Sequence, residues 1–137
     1  MKRYPELLPL SQAHYHALKL ALDTKRAVAS GDAERIALAA AAVRQTMARE
    51  LEPHFRTEET LLLPAMKEAG CAELVARTLV EHRLMREMAA SLGEPQAGIL
   101  QGFADLLQAH VRFEERELFE AAQACLDPAT LKAIAAN

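Results

Sequence analysis

The chain has 137 residues, of which 51% are hydrophobic, and its formal net charge is -3 at pH 7. We expect one domain over residues 1–137, because this length and apolar fraction suffice to bury a core without disulfides. The 16 basic residues are interspersed among 19 acidic ones, a pattern that does not indicate a nucleic-acid partner. No apolar run is long enough to span a membrane, and no signal-peptide pattern opens the chain. The sequence therefore predicts a cytoplasmic protein without nucleic-acid or membrane partners.

The first predicted helix covers residues 10–29. Ser11 is placed to cap its amino end, and Ser30-Gly31-Asp32 is placed to end it and cap the next helix. His14 should point inward and His16, rotated by about 200°, should face outward or lie at a boundary. The apolar stripe of this helix would consist of Leu10, His14, Leu18, Ala21 and Leu22.

The second predicted helix runs from Asp32 towards Gly70, where a glycine suits a carboxyl-terminal cap. Pro53 and Pro64 each remove a backbone donor, so we expect its second half to be kinked or locally broken. The remaining predicted helices cover residues 72–91, 96–126 and 129–135. Short connections between long helices predict an all-α fold, an antiparallel up-down-up-down four-helix bundle with a short helix at the carboxyl terminus.

A twelve-residue segment that starts at His54 returns 56 residues later at His110, with six identical positions. Each copy pairs its histidine with a glutamate four residues on, Glu58 in the first copy and Glu114 in the second. On a helix this spacing stacks an imidazole and a carboxylate on one face, one turn apart. The repeated pair therefore predicts metal ligands.

The numbers of residues between the candidate ligands and the helix ends place Glu58, His82 and Glu114 at the same height along the bundle. Glu58, His82 and Glu114 each lie 11 or 12 residues from the helix ends that would meet at the same end of the bundle. All three would then lie roughly 17 Å from that end, because an α-helix rises 1.5 Å per residue. His14 reaches this level only if the first helix begins higher along the bundle than its neighbours.

Both copies carry two adjacent glutamates, Glu58-Glu59 and Glu114-Glu115. The first member of each doublet is offset from its histidine by about 40° around the helix and the second by about 140°, which favours Glu58 and Glu114 as ligands. Glu59 and Glu115 would either support the site or face solvent. The arginine two residues before each doublet would either pair with it or belong to a solvated charged face.

The proposed ligand set combines four imidazoles, one from each long helix, with two carboxylates. Six such ligands exceed the needs of one ion, whereas two ions bridged by both carboxylates would each receive two nitrogens and two oxygens. Iron, manganese and zinc all suit imidazole with carboxylate. The alternative for a lone inward histidine is a hydrogen-bonded core residue. The predicted metal ligands are His14, His54, Glu58, His82, His110 and Glu114.

Four motifs stand in order along the chain: Leu-Ser-x-x-His, His-Phe-x-x-Glu-Glu, Glu-His and His-x3-Glu-Glu. This order resembles the hemerythrin-like family, also called the HHE cation-binding domain, over about residues 10–122. The resemblance implies a non-haem centre of two iron ions with an oxo or hydroxo bridge inside a four-helix bundle. The four histidines match its terminal ligands and the two glutamates match its bridging ligands. Zinc or manganese would be the substitute ions.

The oxygen-carrying hemerythrins are similar but differ in two places. Their third helix has a further histidine four residues from the first one, whereas this chain has Thr78 and Arg86 at the positions four residues either side of His82. Their fourth helix offers an aspartate as a ligand, whereas this chain offers Glu114. The six-ligand set is more similar to HHE domains associated with iron sensing and with repair of damaged iron centres.

We therefore expect a protein, monomeric or homodimeric, that binds or senses O2, NO, peroxide or iron status. One alternative is a redox enzyme that reduces NO or peroxide, or repairs iron centres, with the same ligands. A second alternative is an interaction module that a metal merely stabilises. A helical bundle with no site would leave the repeated His-x3-Glu pair unexplained.

Cys71 and Cys125 form no Cys-x-x-Cys motif, which favours two reduced thiols and excludes a thiolate zinc site. The predicted helices nevertheless place both cysteines at the same end of the bundle. If their Cα atoms lie within about 7 Å, a disulfide between them is geometrically allowed.

Overall fold

The computed structural model describes residues 2–94 and 96–136, and these residues form five helices and no strand. Helix α1 spans Leu8–Ser30, α2 covers residues 33–68, α3 spans Ala72–Ala90, α4 covers residues 97–125 and α5 spans Pro128–Ala135. Helix α1 packs against α2 and α4, and α3 packs against the same two helices. The predicted all-α bundle with a short fifth helix is confirmed.

Helices α2 and α4 are continuous but not α-helical throughout. In α2 the α-helical segments Ala33–Thr46, Glu52–Thr57 and Leu63–Glu68 are joined by π-helical turns at Met47–Leu51 and Glu58–Leu62. In α4 a π-helical turn at Glu114–Leu118 separates Ala97–Phe113 from Phe119–Cys125. A π turn accommodates one extra residue and often marks a functional site.

The expected disturbance of α2 near its two prolines takes the form of π-helical turns rather than an interruption of the helix. Pro53 and Pro64 are each the second residue of an α-helical segment that follows a π turn, and the chain stays helical through both. Proline is not the general cause of these turns, because α4 has Glu120 at the position that matches Pro64 and still contains one. The turns that begin at Glu58 and Glu114 share a glutamate doublet at their start, which the turn at Met47–Leu51 lacks.

Most of the predicted helix ends agree with the structure. Gly31 adopts the left-handed conformation (φ 65°) after Ser30, and the Asp32 side chain accepts a hydrogen bond from the Glu34 backbone N–H. The prediction for Ser11 is wrong, since α1 begins at Leu8 and the Ser11 hydroxyl instead donates to a carboxylate oxygen of Glu115. The helix starts earlier because Pro9 suits its first turn.

The predicted apolar stripe of α1 is wrong in part. Leu18 and Leu22 are 38% and 48% exposed, whereas Leu10, His14 and Ala21 are buried as expected. The buried face continues through Ala17, Leu20, Thr24 and Ala27. The interior face is therefore rotated away from Leu18 and Leu22, because α1 is covered by α2 and α4 on that side only.

Buried apolar side chains form two separate clusters. We call the first the Phe103 core; it includes Phe55, Met85 and Leu107. The second, the Phe119 core, includes Leu62, Met66 and residues of the short helix α5. No helix within residues 2–94 and 96–136 is both long and apolar enough to cross a membrane.

Candidate metal centre

The structure brings all six predicted ligands together in the bundle interior. They form two groups of four, in each of which one nitrogen or oxygen atom per residue lies within 4.8 Å of the others. Glu58 and Glu114 belong to both groups. The first group adds His14 and His54 to them, and the second adds His82 and His110.

The shortest contacts of each shared carboxylate are to one histidine of each group. Glu58 lies 3.3 Å from Nε2 of His54 through Oε2 and 3.0 Å from Nε2 of His82 through Oε1. Glu114 lies 2.9 Å from Nε2 of His14 through Oε1 and 3.1 Å from Nε2 of His110 through Oε2. The two oxygens of each carboxylate thus face different groups, as a bridging ligand requires.

Aromatic rings close the centre on two sides. The ring of His82 stacks on Phe55 of the Phe103 core at a centroid distance of 4.0 Å. The ring of His14 stacks on Phe119 of the other core at 5.5 Å. Both shared glutamates are fully buried, so a charged cluster lies in a largely apolar interior. Such burial is unfavourable unless the charges are compensated.

Three further glutamates hold the outer nitrogens of the histidines. The Nδ1 atoms of His14, His82 and His110 lie 2.7 to 2.8 Å from carboxylate oxygens of Glu115, Glu59 and Glu81, respectively. Burial raises the pKa of each of these glutamates, but hydrogen bonds from the histidines and from neighbouring groups, including arginines, lower it below its usual value. All three are therefore ionised at neutral pH and act as acceptors.

Each outer glutamate is in turn paired with an arginine that lies over a phenylalanine ring. Arg86 contacts Glu59 at 2.8 Å, Arg77 contacts Glu81 at 3.0 Å and Arg3 contacts Glu115 at 3.5 Å. The guanidinium groups lie over the rings of Phe55, Phe113 and Phe119, respectively. Three of the four imidazoles are thus supported by a glutamate that is itself bound by an arginine. Partners of this kind orient metal-binding histidines and increase their basicity.

These outer bonds determine the state of the inner nitrogens. An ionised carboxylate only accepts, so Nδ1 carries the proton and Nε2 of a neutral ring presents a lone pair to the interior. Nε2 of His54, His82 and His110, both oxygens of Glu58 and Oε2 of Glu114 are buried without a hydrogen-bond partner. With the rings neutral, lone pairs and two carboxylates would face one another. Cations placed among them would satisfy all of these atoms, so the residues fit bound metal.

The electrostatics of the cluster also favour positive charge. Burial lowers the pKa of His54, but the nearby carboxylates of Glu114 and Glu58 outweigh this effect and raise the pKa to about 10. The same balance raises the pKa of His82 to about 9 and that of His110 to about 10. The surrounding histidines hold the pKa of Glu114 well below its usual range despite complete burial. Metal ions would take the place of these protons.

His54 differs from the other three histidines of the centre. Within the part of the chain that the structure describes, no carboxylate contacts its Nδ1 atom. It borders an open cleft of about 290 Å³ that is also lined by Pro53, Thr57 and Ala135. A second, small cavity of about 40 Å³ touches both His14 and His54. The His14–His54 side is thus the more accessible side of the centre.

His16 lies outside the cluster, as predicted from its position on α1. Its side chain is 75% exposed and pairs with Glu50 at 3.2 Å. The two positions four residues either side of His82 have other roles. The Thr78 hydroxyl donates to the Leu74 carbonyl oxygen, and Arg86 binds the carboxylates of Glu52 and Glu59. Neither side chain competes with the six clustered residues.

Sequence reasoning missed Glu81, and of the two roles left open for Arg56 and Arg112 the structure supports the solvated charged face. Glu81 precedes His82 on α3 but bonds across to His110 on α4, and helical spacing carries no signal for such a contact. The exposed Arg56 contacts Glu52, one turn away on its own helix, rather than Glu59. Arg112 is exposed as well. The arginines that contact the doublets, Arg86 and Arg3, come from distant parts of the chain.

A comparison with known protein families agrees with this geometry. No curated protein matches the sequence. The family model of the hemerythrin HHE cation-binding domain matches residues 10–122, a range that contains all six clustered residues. With its helical bundle and buried histidine–glutamate cluster, the chain belongs to the hemerythrin HHE cation-binding domain family.

Proposed function

We propose that this protein holds two iron ions among the six clustered residues and uses them to bind or sense a small ligand, namely O2, NO or peroxide, or to report iron status. The supporting observation is the pair of four-residue groups that share Glu58 and Glu114. Each group offers two imidazole nitrogens and two carboxylate oxygens. Four donors leave coordination positions for an external ligand.

The choice of iron rests on donor chemistry and on the family. Imidazole and carboxylate suit iron, manganese and zinc, and neither Cys71 nor Cys125 belongs to the cluster. The hemerythrin-like resemblance favours iron among these. Two adjacent redox-active ions would supply a shared two-electron change, which suits O2, NO or peroxide. Zinc or manganese are the alternative occupants.

The residues of the chain determine how such a centre would be held. Glu59, Glu81 and Glu115 keep a proton on Nδ1 of their histidines, so each Nε2 lone pair points inward. Phe55 and Phe119 cover two of the imidazole rings and exclude water there. The shared carboxylates are held between the two histidine pairs.

We further propose that the external ligand approaches on the His14–His54 side. The open cleft beside His54 and the small cavity between His14 and His54 both lie there. A cavity of about 40 Å³ has room for a molecule of two or three atoms but not for a metabolite. This size favours a diatomic ligand or peroxide.

The main alternative is a redox enzyme that uses the same residues to reduce NO or peroxide, or to repair iron centres. The other is an interaction module stabilised by a structural metal. A cytoplasmic location and a monomeric or homodimeric state stay predictions from the sequence.

The test is to expose the reduced, iron-loaded protein anaerobically to measured amounts of O2 or NO and to follow its absorption spectrum. A stable product that reverses when the gas is removed supports a binder or sensor. Many turnovers in the presence of a reductant support the enzyme instead. If a redox-inert metal co-purifies and the spectrum does not respond to either gas, both redox hypotheses fail.

A further inference from the structure

Two cysteines that are distant in sequence meet at one end of the bundle, away from the metal centre. The Sγ atoms of Cys71 and Cys125 lie 3.5 Å apart, although 54 residues separate them along the chain. Cys71 is the residue before α3, and Cys125 is the last residue of α4. Both are free thiols, and Cys125 is exposed.

We propose that Cys71 and Cys125 form a second redox site, a dithiol that hydrogen peroxide converts reversibly into a disulfide. The sulfurs are already in van der Waals contact, and a bond length of about 2.05 Å requires them to approach by only about 1.5 Å. Gly70, which precedes Cys71, has a φ of 99°, so the chain turns sharply just before this cysteine. The exposure of Cys125 gives peroxide access to the pair.

The reaction balances with peroxide as the only oxidant. The Cys71 thiolate attacks one peroxide oxygen, which breaks the O–O bond and yields a sulfenic acid and hydroxide. Cys125 then attacks the Cys71 sulfur, the S–S bond forms, and the sulfenic oxygen leaves as water. The two sulfurs together lose two electrons and two protons, and peroxide becomes two molecules of water.

The order of attack follows from the surroundings of Cys125. Partial desolvation at the end of the bundle, together with the neighbouring sulfur of Cys71, raises the pKa of the Cys125 thiol to about 11. Cys125 is therefore protonated at neutral pH and a poor first nucleophile, because the thiolate is the reactive form. Cys71 lies at the amino end of α3, where the helix dipole favours negative charge, whereas Cys125 lies at the carboxyl end of α4, where the dipole disfavours it. The first attack is therefore assigned to Cys71, and Cys125 resolves the sulfenic acid.

The disulfide would join the two helices that carry half of the metal cluster. Helix α3 holds His82, and α4 holds His110 and Glu114. His82 lies 11 residues after Cys71 and Glu114 lies 11 before Cys125, so the cysteines are roughly 16 Å from the cluster along the helix axes. The cysteines are thus outside the metal centre, and this inference does not depend on the proposed iron chemistry.

The experiment treats the reduced full-length protein with one equivalent of hydrogen peroxide and counts free thiols after unfolding. We expect both thiols to disappear, a mass loss of two hydrogens without dimer formation, and recovery of the thiols with dithiothreitol. Closing a loop of this length should raise the melting temperature by about 10 °C. Unfolding the protein before peroxide treatment should slow the disulfide reaction, since the fold no longer holds the sulfurs together.

Two matched variants test the assigned roles. Cys125→Ser should accumulate a sulfenic acid at Cys71, whereas Cys71→Ser should react with peroxide at least about tenfold more slowly, as a protonated thiol does. Equal rates would overturn the assigned order of attack. Two thiols that stay free, disulfides between chains, or separate oxidation of each sulfur without a bond between them would overturn the proposal itself.

Discussion

At the scale of single residues, the centre contains two kinds of glutamate that are adjacent in sequence. Glu58 and Glu114 lie between the two pairs of histidines, whereas Glu59 and Glu115 bond the outer nitrogens of single histidines. This difference follows from helix geometry, since neighbouring residues are rotated by about 100° around the axis. Substitutions within one doublet should therefore have different consequences.

Removing a shared carboxylate should abolish binding of both ions. Glu58→Ala or Glu114→Ala deprives both four-residue groups of a donor. Glu59→Ala should retain both ions with affinity lowered about 10- to 100-fold, because it removes only a partner of His82. Metal content per chain measures the effect, and Glu114→Gln controls for the lost volume. Equal loss of metal from Glu59→Ala would overturn the assignment of faces.

Glu81 should matter for metal affinity although it lies outside the cluster. Glu81→Ala removes the acceptor for Nδ1 of His110, so we expect affinity to fall about 10- to 100-fold. Glu87 on the same helix is the matched control, because it is exposed and pairs only weakly with Arg83 at 3.6 Å. Competition with a chelator of known affinity measures both variants. Equal affinities for the two would contradict the role of Glu81.

The residues of the cluster could be predicted from the sequence, and Glu59 and Glu115 could be named as candidate supporting residues, but Glu81 and the arginines that contact these glutamates could not. The His-x3-Glu spacing places two ligands per helix on one face, which depends only on local geometry. Glu81 and Arg3 contribute through contacts between distant segments. Such contacts depend on how neighbouring helices are rotated and packed, and this information has no fixed spacing in the chain.

At the scale of helices, the π turns and the terminal helix shape the centre. The turns Glu58–Leu62 and Glu114–Leu118 begin at the two shared glutamates.

Helix ends could be predicted from the sequence because Gly31 and Asp32 have clear local preferences. The π turns could not, since Pro64 suggested a break in one copy and the other copy has no proline. The exposure of Leu18 likewise depends on which side of α1 its neighbours cover.

Helix α5 forms one wall of the cleft beside His54, so a bulky residue there should hinder ligand entry. Ala135→Trp would fill much of this cleft and slow the association of NO with the reduced, iron-loaded protein. Lys132→Trp is the control, because Lys132 is exposed on the same helix and does not line the cleft. Stopped-flow absorption gives both rates. An unchanged rate in Ala135→Trp would show that the ligand enters elsewhere.

At the scale of the whole molecule, the histidine–glutamate cluster draws its residues from four helices and contacts two apolar cores. Phe55 belongs to the Phe103 core and stacks on His82, while Phe119 belongs to the other core and stacks on His14. The cores consist of fully apolar side chains from several helices. The bundle should therefore not depend on metal to fold.

Removal of metal should lower stability without loss of helix. We expect the chelated protein to keep its far-ultraviolet circular dichroism and to melt at a lower temperature, since bound ions at about 1,000 times their dissociation constant contribute about 4 kcal/mol. Thermal melts before and after chelation, with the ions restored as a control, measure the change. Loss of helical signal on chelation would favour a structural metal and the interaction-module alternative.

The central claim is that the six clustered residues hold two iron ions, and metal analysis of the freshly purified protein tests it most directly. We predict two iron atoms per chain and a near-ultraviolet absorption of the oxidised form that reduction abolishes. One ion per chain, or a redox-inert metal with no such absorption, would contradict the claim.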